Sequence, residues 1–273
     1  ILSGLVGSEM CIRDSPSVFM GVNTLYAGLA AHPGTQGVDF SNLRLAGGGG
    51  AAILPSVSAR WQAITGQFIR EGYGLSETSP VVAFNPASVT AFSGSTGLPL
   101  PSTDVLLLDD QGHPVPLGQP GEVCVKGPQV MGGYWQQPEA NAAAFTPDGY
   151  FRTGDIGQLD ERGFLKIVDR KKDMVIVSGF NVFPNEVEAV ATACPGVLEC
   201  ACIGVPDEKT GEALRLYVVR AAGNAPSVDA DHIAAHCRAA LTPYKVPRQI
   251  VFVEALPKSS VGKILRRELR DMA

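Results

Sequence analysis

No stretch of this 273-residue chain reaches the ~18–20 consecutive apolar residues that a spanning helix needs, so the sequence predicts no membrane crossing and leaves only surface association open. A basic excess is also missing: the formal net charge is −5, which argues against nucleic acid as a partner. Six cysteines are present (Cys11, Cys124, Cys194, Cys200, Cys202, Cys237), yet none forms the CxxC pair of a zinc site, and no secretory framework accompanies them. A reducing cytoplasm is therefore the expected compartment, with Cys200 and Cys202, two apart in a strand-like run, as small buried residues of one face. A phosphate-binding P-loop is absent as well, since Gly262-Lys263 is followed by Ile264 where Ser or Thr is required. There are no internal repeats and no low-complexity tract.

At 45% hydrophobic residues the chain can bury a real core and is expected to form two domains. From Val18 to about Gly97 it reads as α/β. Leu43-Arg-Leu-Ala is a strand entering Gly47-Gly-Gly-Gly-Ala, Ser56–Thr65 is a helix with Val57, Trp61 and Ile64 on one side, and Gln67-Phe-Ile-Arg is a strand entering a Gly72-Tyr-Gly turn. Between Thr103 and Val168 short strands are predicted at Val105–Leu108, Glu122–Lys126 and Phe164–Val168, broken by Gly and Pro, which suggests a small antiparallel barrel-like lobe. Asp169-Arg-Lys-Lys-Asp is a charged break. Beyond it a compact α+β unit is predicted: strands at Met174–Val177, Leu198–Gly204, Leu214–Val219 and Gln249–Glu254, a helix opened by Pro184, and a helix to Ala240 capped by Ser227 or Asp229.

Several clusters have residue types suited to chemistry, each with a plainer alternative. Lys263 follows a Gly turn just before a basic helix, a placement that delivers a point charge to a developing oxyanion; a solvated lysine at a helix start is the alternative. Around it Lys245, Arg248, Lys258, Arg266, Arg267 and Arg270 gather, most simply as a solvated helix face, otherwise for a polyanionic small substrate. In Glu71-Gly-Tyr-Gly-Leu-Ser-Glu, Tyr73 can stack on a base and Glu77 can hold Mg²⁺ on phosphates, against a Glu that simply suits a helix N-terminus. Thr153-Gly-Asp155 offers a carboxylate beside a Gly turn, suited to accepting hydrogen bonds from two ribose hydroxyls, with Arg170 in reach of the same sugar or its phosphate; a surface Asp–Arg pair is the competing reading. Gly47-Gly-Gly-Gly-Ala lets backbone approach a flat ring, or is a flexible turn.

Taken together, Glu71-Gly-Tyr-Gly-Leu-Ser-Glu-Thr-Ser, Tyr150-Phe-Arg-Thr-Gly-Asp, Asp169-Arg-Lys-Lys-Asp-Met-Val-Ile-Val-Ser-Gly-Phe-Asn and the Lys263 segment resemble, in order and spacing, the adenylate-forming enzymes. Val123-Cys-Val-Lys-Gly-Pro-Gln-Val-Met and Ser178-Gly-Phe-Asn-Val-Phe-Pro-Asn-Glu-Val-Glu are similar to the bacterial long-chain fatty-acid–CoA ligases within that superfamily. The resemblance implies activation of a fatty acid by ATP to an acyl-adenylate and transfer of the acyl group to coenzyme A, with Mg²⁺ as cofactor. It implies Lys263 and Glu77 as catalytic residues, Glu77 also as the metal ligand. Nucleotide contacts are implied for Gly49, Gly50, Ala51, Gly72, Tyr73, Gly74, Leu75, Ser76, Thr78, Asp155 and Arg170. Coenzyme A contacts are implied for Ser178, Gly179 and Phe180, and a hinge at Asp169 and Lys171.

The implied fold is a partial, mostly parallel α/β sheet, a small antiparallel lobe, and an α+β C-terminal domain. Its expected boundaries are a truncated large domain over 16–168, a hinge over 169–174 and the C-terminal domain over 175–273. Ile1–Ser15 begins without Met, has no periodic pattern and is too weakly cationic for a signal peptide. It is expected to be a non-native or disordered leader, or else a divergent loop. The family's phosphate loop has no counterpart: Ser93-Gly-Ser-Thr-Gly-Leu-Pro looks like it but lacks the following Lys and falls after Tyr73, so no chemistry is assigned there. The chain is thus expected to be a C-terminal fragment, inactive alone, the alternative being a noncatalytic nucleotide- or CoA-binding module. Acyl-chain length and oligomeric state are not legible.

Overall fold

A computed structural model of the chain describes residues 15–221, 228–260 and 262–272. The leader expected over 1–15, Cys11 included, lies outside the described residues except for Ser15, as does the alternative cap Ser227. Two compact units are present. The first runs to Gln119 and includes Val123–Thr153 and Gln158–Ile167; the second comprises Pro120–Glu122, Gly154–Gly157 and Val168–Ala273.

The first unit contains a five-stranded sheet in the order β1 (Val18–Gly21), β2 (Leu45–Gly48), β3 (Ile69–Gly74), β4 (Val81–Phe84), β5 (Leu98–Pro99). Pairing is parallel from β1 to β3 and antiparallel from β3 to β5, so the parallel part is shorter than the sequence suggests. Helices α1 (Asn23–Ala31) and α2 (Pro55–Thr65) pack on it. Helix α2 starts with Pro55, whose missing N–H costs nothing in the first turn, and stops at Gly66 in the left-handed region. Val57 and Trp61, four residues apart, bury one face, and Trp61 meets the Tyr26 ring edge-on at 4.9 Å.

Three local expectations are corrected here. The strand expected at Leu43–Ala46 lies at Leu45–Gly48, because Gly47 and Gly48 remain in register with Met20 and Gly21. The Gly72-Tyr73-Gly74 turn is instead the end of β3, paired with Val81–Phe84. Both glycines are there for close approach: a Cβ on Gly72 would sit 2.5 Å from the Phe84 ring. Finally, Thr153-Gly-Asp155 is not a turn but lies within a nine-residue strand that the sequence reading missed.

That strand belongs to a four-stranded sheet, order β6 (Asp104–Leu108), β7 (Gly121–Lys126), β8 (Phe151–Leu159), β9 (Leu165–Arg170). It stays open, with β6 and β9 as its outer strands, where a barrel-like lobe is expected. A short helix, α3 (Pro138–Ala144), falls between β7 and β8.

In the second unit the sheet order is β11 (Phe180–Val182), β10 (Val175–Val177), β13 (Gly211–Arg220), β12 (Val197–Asp207), with β14 (Gln249–Phe252) parallel to β13. Alternation along β12 and β13 fills both faces. Cys200, Cys202, Leu214, Leu216 and Val218 join the core with α4 (Pro184–Thr192) and α5 (Ala230–Ala240), while Ala201, Ile203, Tyr217 and Val219 pack with Leu256 and with Leu269 of α6 (Arg266–Asp271). Cys200 and Cys202 do share one buried face, and burial pushes both thiols up. Asp229 caps α5 by accepting the His232 N–H at 2.8 Å. No helix among the described residues is long and apolar enough to cross a membrane.

Candidate active site

In the first unit the glycine run and the tyrosine segment lie side by side: a Cβ on Gly49 would come within 3.0 Å of the Gly72 carbonyl oxygen. Gly47 and Gly48 belong to β2, so the run is not a flexible turn; Gly50 (φ +76°) and Ala51 follow, both exposed. Tyr73, Gly74, Leu75, Ser76 and Glu77 continue along the end of β3 into a single turn at Ser76–Thr78. Thr78 is fully buried, and its hydroxyl lies 2.7 Å from the Pro80 carbonyl and 3.0 Å from that of Leu75. Expected as a nucleotide contact, Thr78 here shapes the turn that presents Ser76 and Glu77.

Glu77 accepts a hydrogen bond from the Tyr134 hydroxyl at 3.0 Å, and burial followed by this bond raises the Tyr134 phenol. The other Glu77 oxygen makes no hydrogen bond among the described residues. No three His, Cys, Asp or Glu side chains gather into a protein-only metal site among the described residues. One available carboxylate suits Mg²⁺, a cation held by one or two carboxylates together with substrate phosphates. Tyr134 escaped the sequence reading; its only signal is the Gly132-Gly-Tyr-Trp turn. The Ser93–Pro99 segment is structural, since Ser95 and Thr96 hydroxyls both bond the Leu165 carbonyl, at 3.0 and 2.8 Å.

The second unit carries the acids and cations. Asp155 is 7% exposed, with Arg170 Nε 3.7 Å from its Oδ1. The acid is buried, while its arginine partner is exposed. Asp169, expected in a charged break, has a wholly buried carboxyl that accepts the Asn185 and Arg170 N–H groups at 2.8 Å each. Burial raises it to about 6, against the opposing pull of Arg266 and these two N–H groups. Lys171 reaches Glu122 Oε2 at 3.2 Å.

The solvated basic face is found only at Arg267, which is exposed and has no ion pair among the described residues; the other five cations have acid partners. Lys245 pairs with Glu186 (2.7 Å), Arg248 with Asp207 (2.8 Å), Lys258 with Glu199 (2.7 Å), Arg270 with Asp173 (2.6 Å), and Arg266 with Glu188 (2.8 Å). Lys263 differs: its half-buried side chain has no acid or hydrogen-bond partner among the described residues. Its backbone, however, is fixed in a tight hairpin. Leu265 N–H bonds Pro257 O (2.9 Å), Ser259 N–H bonds Lys263 O (2.8 Å), and Lys263 N–H bonds Ser259 Oγ (3.2 Å). An unpaired ammonium on a hydrogen-bonded mount can stabilise negative charge developing on a ligand.

Ser178 and Gly179 form the two-residue turn between β10 and β11, with φ of +53° and +82°. Positive φ at both positions is what a primed hairpin turn demands, and it explains glycine at 179. A Cβ there would meet nothing within 4 Å, so the turn faces open space. Phe180, 55% exposed, stacks on Tyr244 at 4.7 Å. Beside them lies a cavity of about 240 Å³ lined by Val177, Ser178, Thr210, Tyr244, Val246 and Arg248. Tyr244 and Arg248 were not singled out for this place by the sequence.

Residues 8–135 match the family described as AMP-binding enzyme, and residues 186–263 match the AMP-binding enzyme C-terminal domain. A long-chain-fatty-acid–CoA ligase of Escherichia coli O6:H1 is 53% identical over 253 residues, covering 93% of this chain and 44% of that protein. A feruloyl-CoA synthase of Amycolatopsis sp is 42% identical over 259 residues, covering 94% and 52%. Among solved structures, ATP-bound MatB from Rhodopseudomonas palustris aligns with a TM-score of 0.90 at 36% identity, over 97% of this chain and 52% of that one. The chain thus spans about half the length of the curated relatives it matches.

Proposed function

The chain belongs to the AMP-binding enzyme family, and from that premise we propose that it is the part of an acid–thiol ligase that binds the nucleotide and coenzyme A and supplies the catalytic lysine. The proposed substrate is a long-chain fatty acid, in keeping with the name of the 53%-identical relative. The observation that carries the reading is Lys263: five cations near it in sequence are neutralised by acids and Arg267 is turned to solvent, while the half-buried Lys263 ammonium is left available on a hydrogen-bonded hairpin. A module that only bound nucleotide would have no use for it.

In the proposed reaction a carboxylate oxygen attacks the α-phosphorus of ATP, pyrophosphate leaves, and the thiol of coenzyme A then displaces AMP from the acyl-adenylate. Backbone of Gly49, Gly50 and Ala51 edges the base, and Tyr73 stacks on it. Asp155 accepts both ribose hydroxyls and Arg170 reaches the sugar or phosphate. Glu77, oriented by Tyr134, would hold Mg²⁺, which would supply neutralisation of phosphate charge. Lys263 stabilises charge between carboxylate and α-phosphate. The pantetheine arm passes Ser178-Gly179-Phe180, and the cavity beside Tyr244 and Arg248 takes the nucleotide end of coenzyme A. The domain division is proposed at 16–168 and 175–273, turning about a hinge at 169–174 with Asp169 and Lys171.

A chimera tests this: residues 16–273 replace the matching segment of the 53%-identical ligase. The expected result is palmitoyl-CoA, AMP and pyrophosphate from palmitate, MgATP and coenzyme A. A soluble, folded chimera that makes none of the three would overturn the ligase reading; AMP without thioester would restrict it to adenylation.

A further inference from the structure

Glu71 is a buried carboxyl that the reaction does not use. It projects from the middle of β3 and is 7% exposed. Oε1 accepts the Ile53 N–H at 3.1 Å, while Oε2 is buried with no hydrogen bond among the described residues. A buried carboxylate oxygen without a donor is costly when charged. The backbone beneath it is tied down, since Asn85 donates to the Glu71 carbonyl through both its N–H (3.2 Å) and Nδ2 (3.0 Å). The carboxyl therefore reaches from a fixed strand to the far end of the segment Gly49-Gly-Ala-Ala-Ile53, whose near end is packed against the Gly72 carbonyl.

Few charges face this group. Lys166 on β9 is the cation that acts on it, and Arg70, its neighbour on β3, gives its guanidinium to the Pro86 and Val89 carbonyls. Burial pushes the carboxyl up to about 7, opposed by the Ile53 N–H and Lys166. In the neutral form Oε2 carries the proton and Oε1 remains the acceptor for Ile53. The ionised form, with one N–H on Oε1 and a buried Oε2 that has no donor among the described residues, gains by turning toward water and releasing that N–H.

We propose that Glu71 is a positioning residue of the nucleotide site: its carboxyl clamps Ile53 and so holds Gly49, Gly50 and Ala51 in place without touching the nucleotide. The clamp is closed at mildly acidic pH and opens above neutrality. The role rests on the nucleotide reading of that loop, and the experiment separates the two.

Amide exchange of Ile53, corrected for intrinsic rates, is measured in the whole chain at pH 6 and pH 8, together with AMP affinity. A carboxyl near 7 goes from about nine-tenths to about one-tenth protonated over that range, so Ile53 protection should fall about tenfold and AMP affinity with it. Glu71→Gln keeps the acceptor and cannot ionise; it should hold Ile53 protected and AMP affinity level at both pH values. Glu71→Ala should leave Ile53 unprotected at both. Equal Ile53 protection at the two pH values in the unsubstituted chain, or pH-dependent protection persisting in Glu71→Gln, would overturn the clamp. If Glu71→Ala does not fold, the isosteric Gln variant still decides. A working clamp in a chain that binds no AMP would retain the latch and remove its role at a nucleotide site.

Discussion

Replacing Arg266 by Met is expected to lower the stability of the second unit by about 3–5 kcal/mol at pH 7.5, and by less at pH 5.5. Arg266 is 17% exposed, and its guanidinium lies among three buried acids: Glu188 at 2.8 Å, Asp173 at 3.6 Å and Asp169 at 3.9 Å. Glu188 receives it with both oxygens, at 2.8 and 2.9 Å, while the Asn185 side chain accepts a further bond at 2.7 Å. Burial works to lower the guanidinium pKa, but Glu188 and Asp169 outweigh it and keep Arg266 charged. Removing the cation strands carboxylates in an interior that cannot solvate them, which is where the large penalty arises.

The pH dependence has a definite sign. Asp169 is raised from 3.8 to about 6 in the folded chain, so its stabilising share is complete below about 3.8 and is lost as pH climbs through 6. Without Arg266 the folded-state acids are raised further, so the deficit against the unsubstituted chain grows with pH. Both tryptophans, Trp61 and Trp135, lie in the first unit and would report the wrong transition. Amide exchange of β12 and β13 under EX2 conditions is the appropriate measure. A deficit below about 1 kcal/mol, or one equal at both pH values, would mean the network is solvated and dispensable.

That network also shows what the sequence could and could not convey. Helices with local signatures were legible: Pro184 marks a first turn, Val57 and Trp61 mark a buried face, and Asp229 marks a cap. The alternating strands β12 and β13 were legible for the same reason, a period of two over ten or more residues. Glycine misled twice in the same way. In Gly72-Tyr-Gly and Thr153-Gly-Asp it suggested turns, whereas in the fold it admits Phe84 and Pro80 against β3 and lies inside β8 at a φ of +70°. Charge misled for a different reason. The C-terminal cations have few acids near them in sequence, but Lys245 finds Glu186 59 positions away and Arg270 finds Asp173 97 positions away. Partnerships of that range are set by tertiary packing, which also gave Tyr134 to Glu77 and Ile53 to Glu71.

In the chimera with the 53%-identical ligase, Lys263→Ala is expected to slow acyl-adenylate formation by about 10²–10³, the typical loss when one preorganised donor to a developing oxyanion is removed. The substitution should leave the fold intact, because the hairpin is closed by backbone bonds and by the Ser259 hydroxyl, and the ammonium has no partner to abandon among the described residues. Attack of coenzyme A on supplied palmitoyl-adenylate should be nearly unchanged, since that step develops no charge between a carboxylate and ATP. Gly179→Leu should give the opposite split. Its side chain enters open space at a backbone conformation that L-residues adopt at a cost of about 1–2 kcal/mol, and it stands where the pantetheine arm is proposed to pass. Rapid-quench measurement of the two half-reactions, with circular dichroism melts to confirm folding, separates the effects. Equal slowing of both half-reactions by Lys263→Ala would make the lysine a structural part of its hairpin and remove it from the chemistry, whatever became of Gly179.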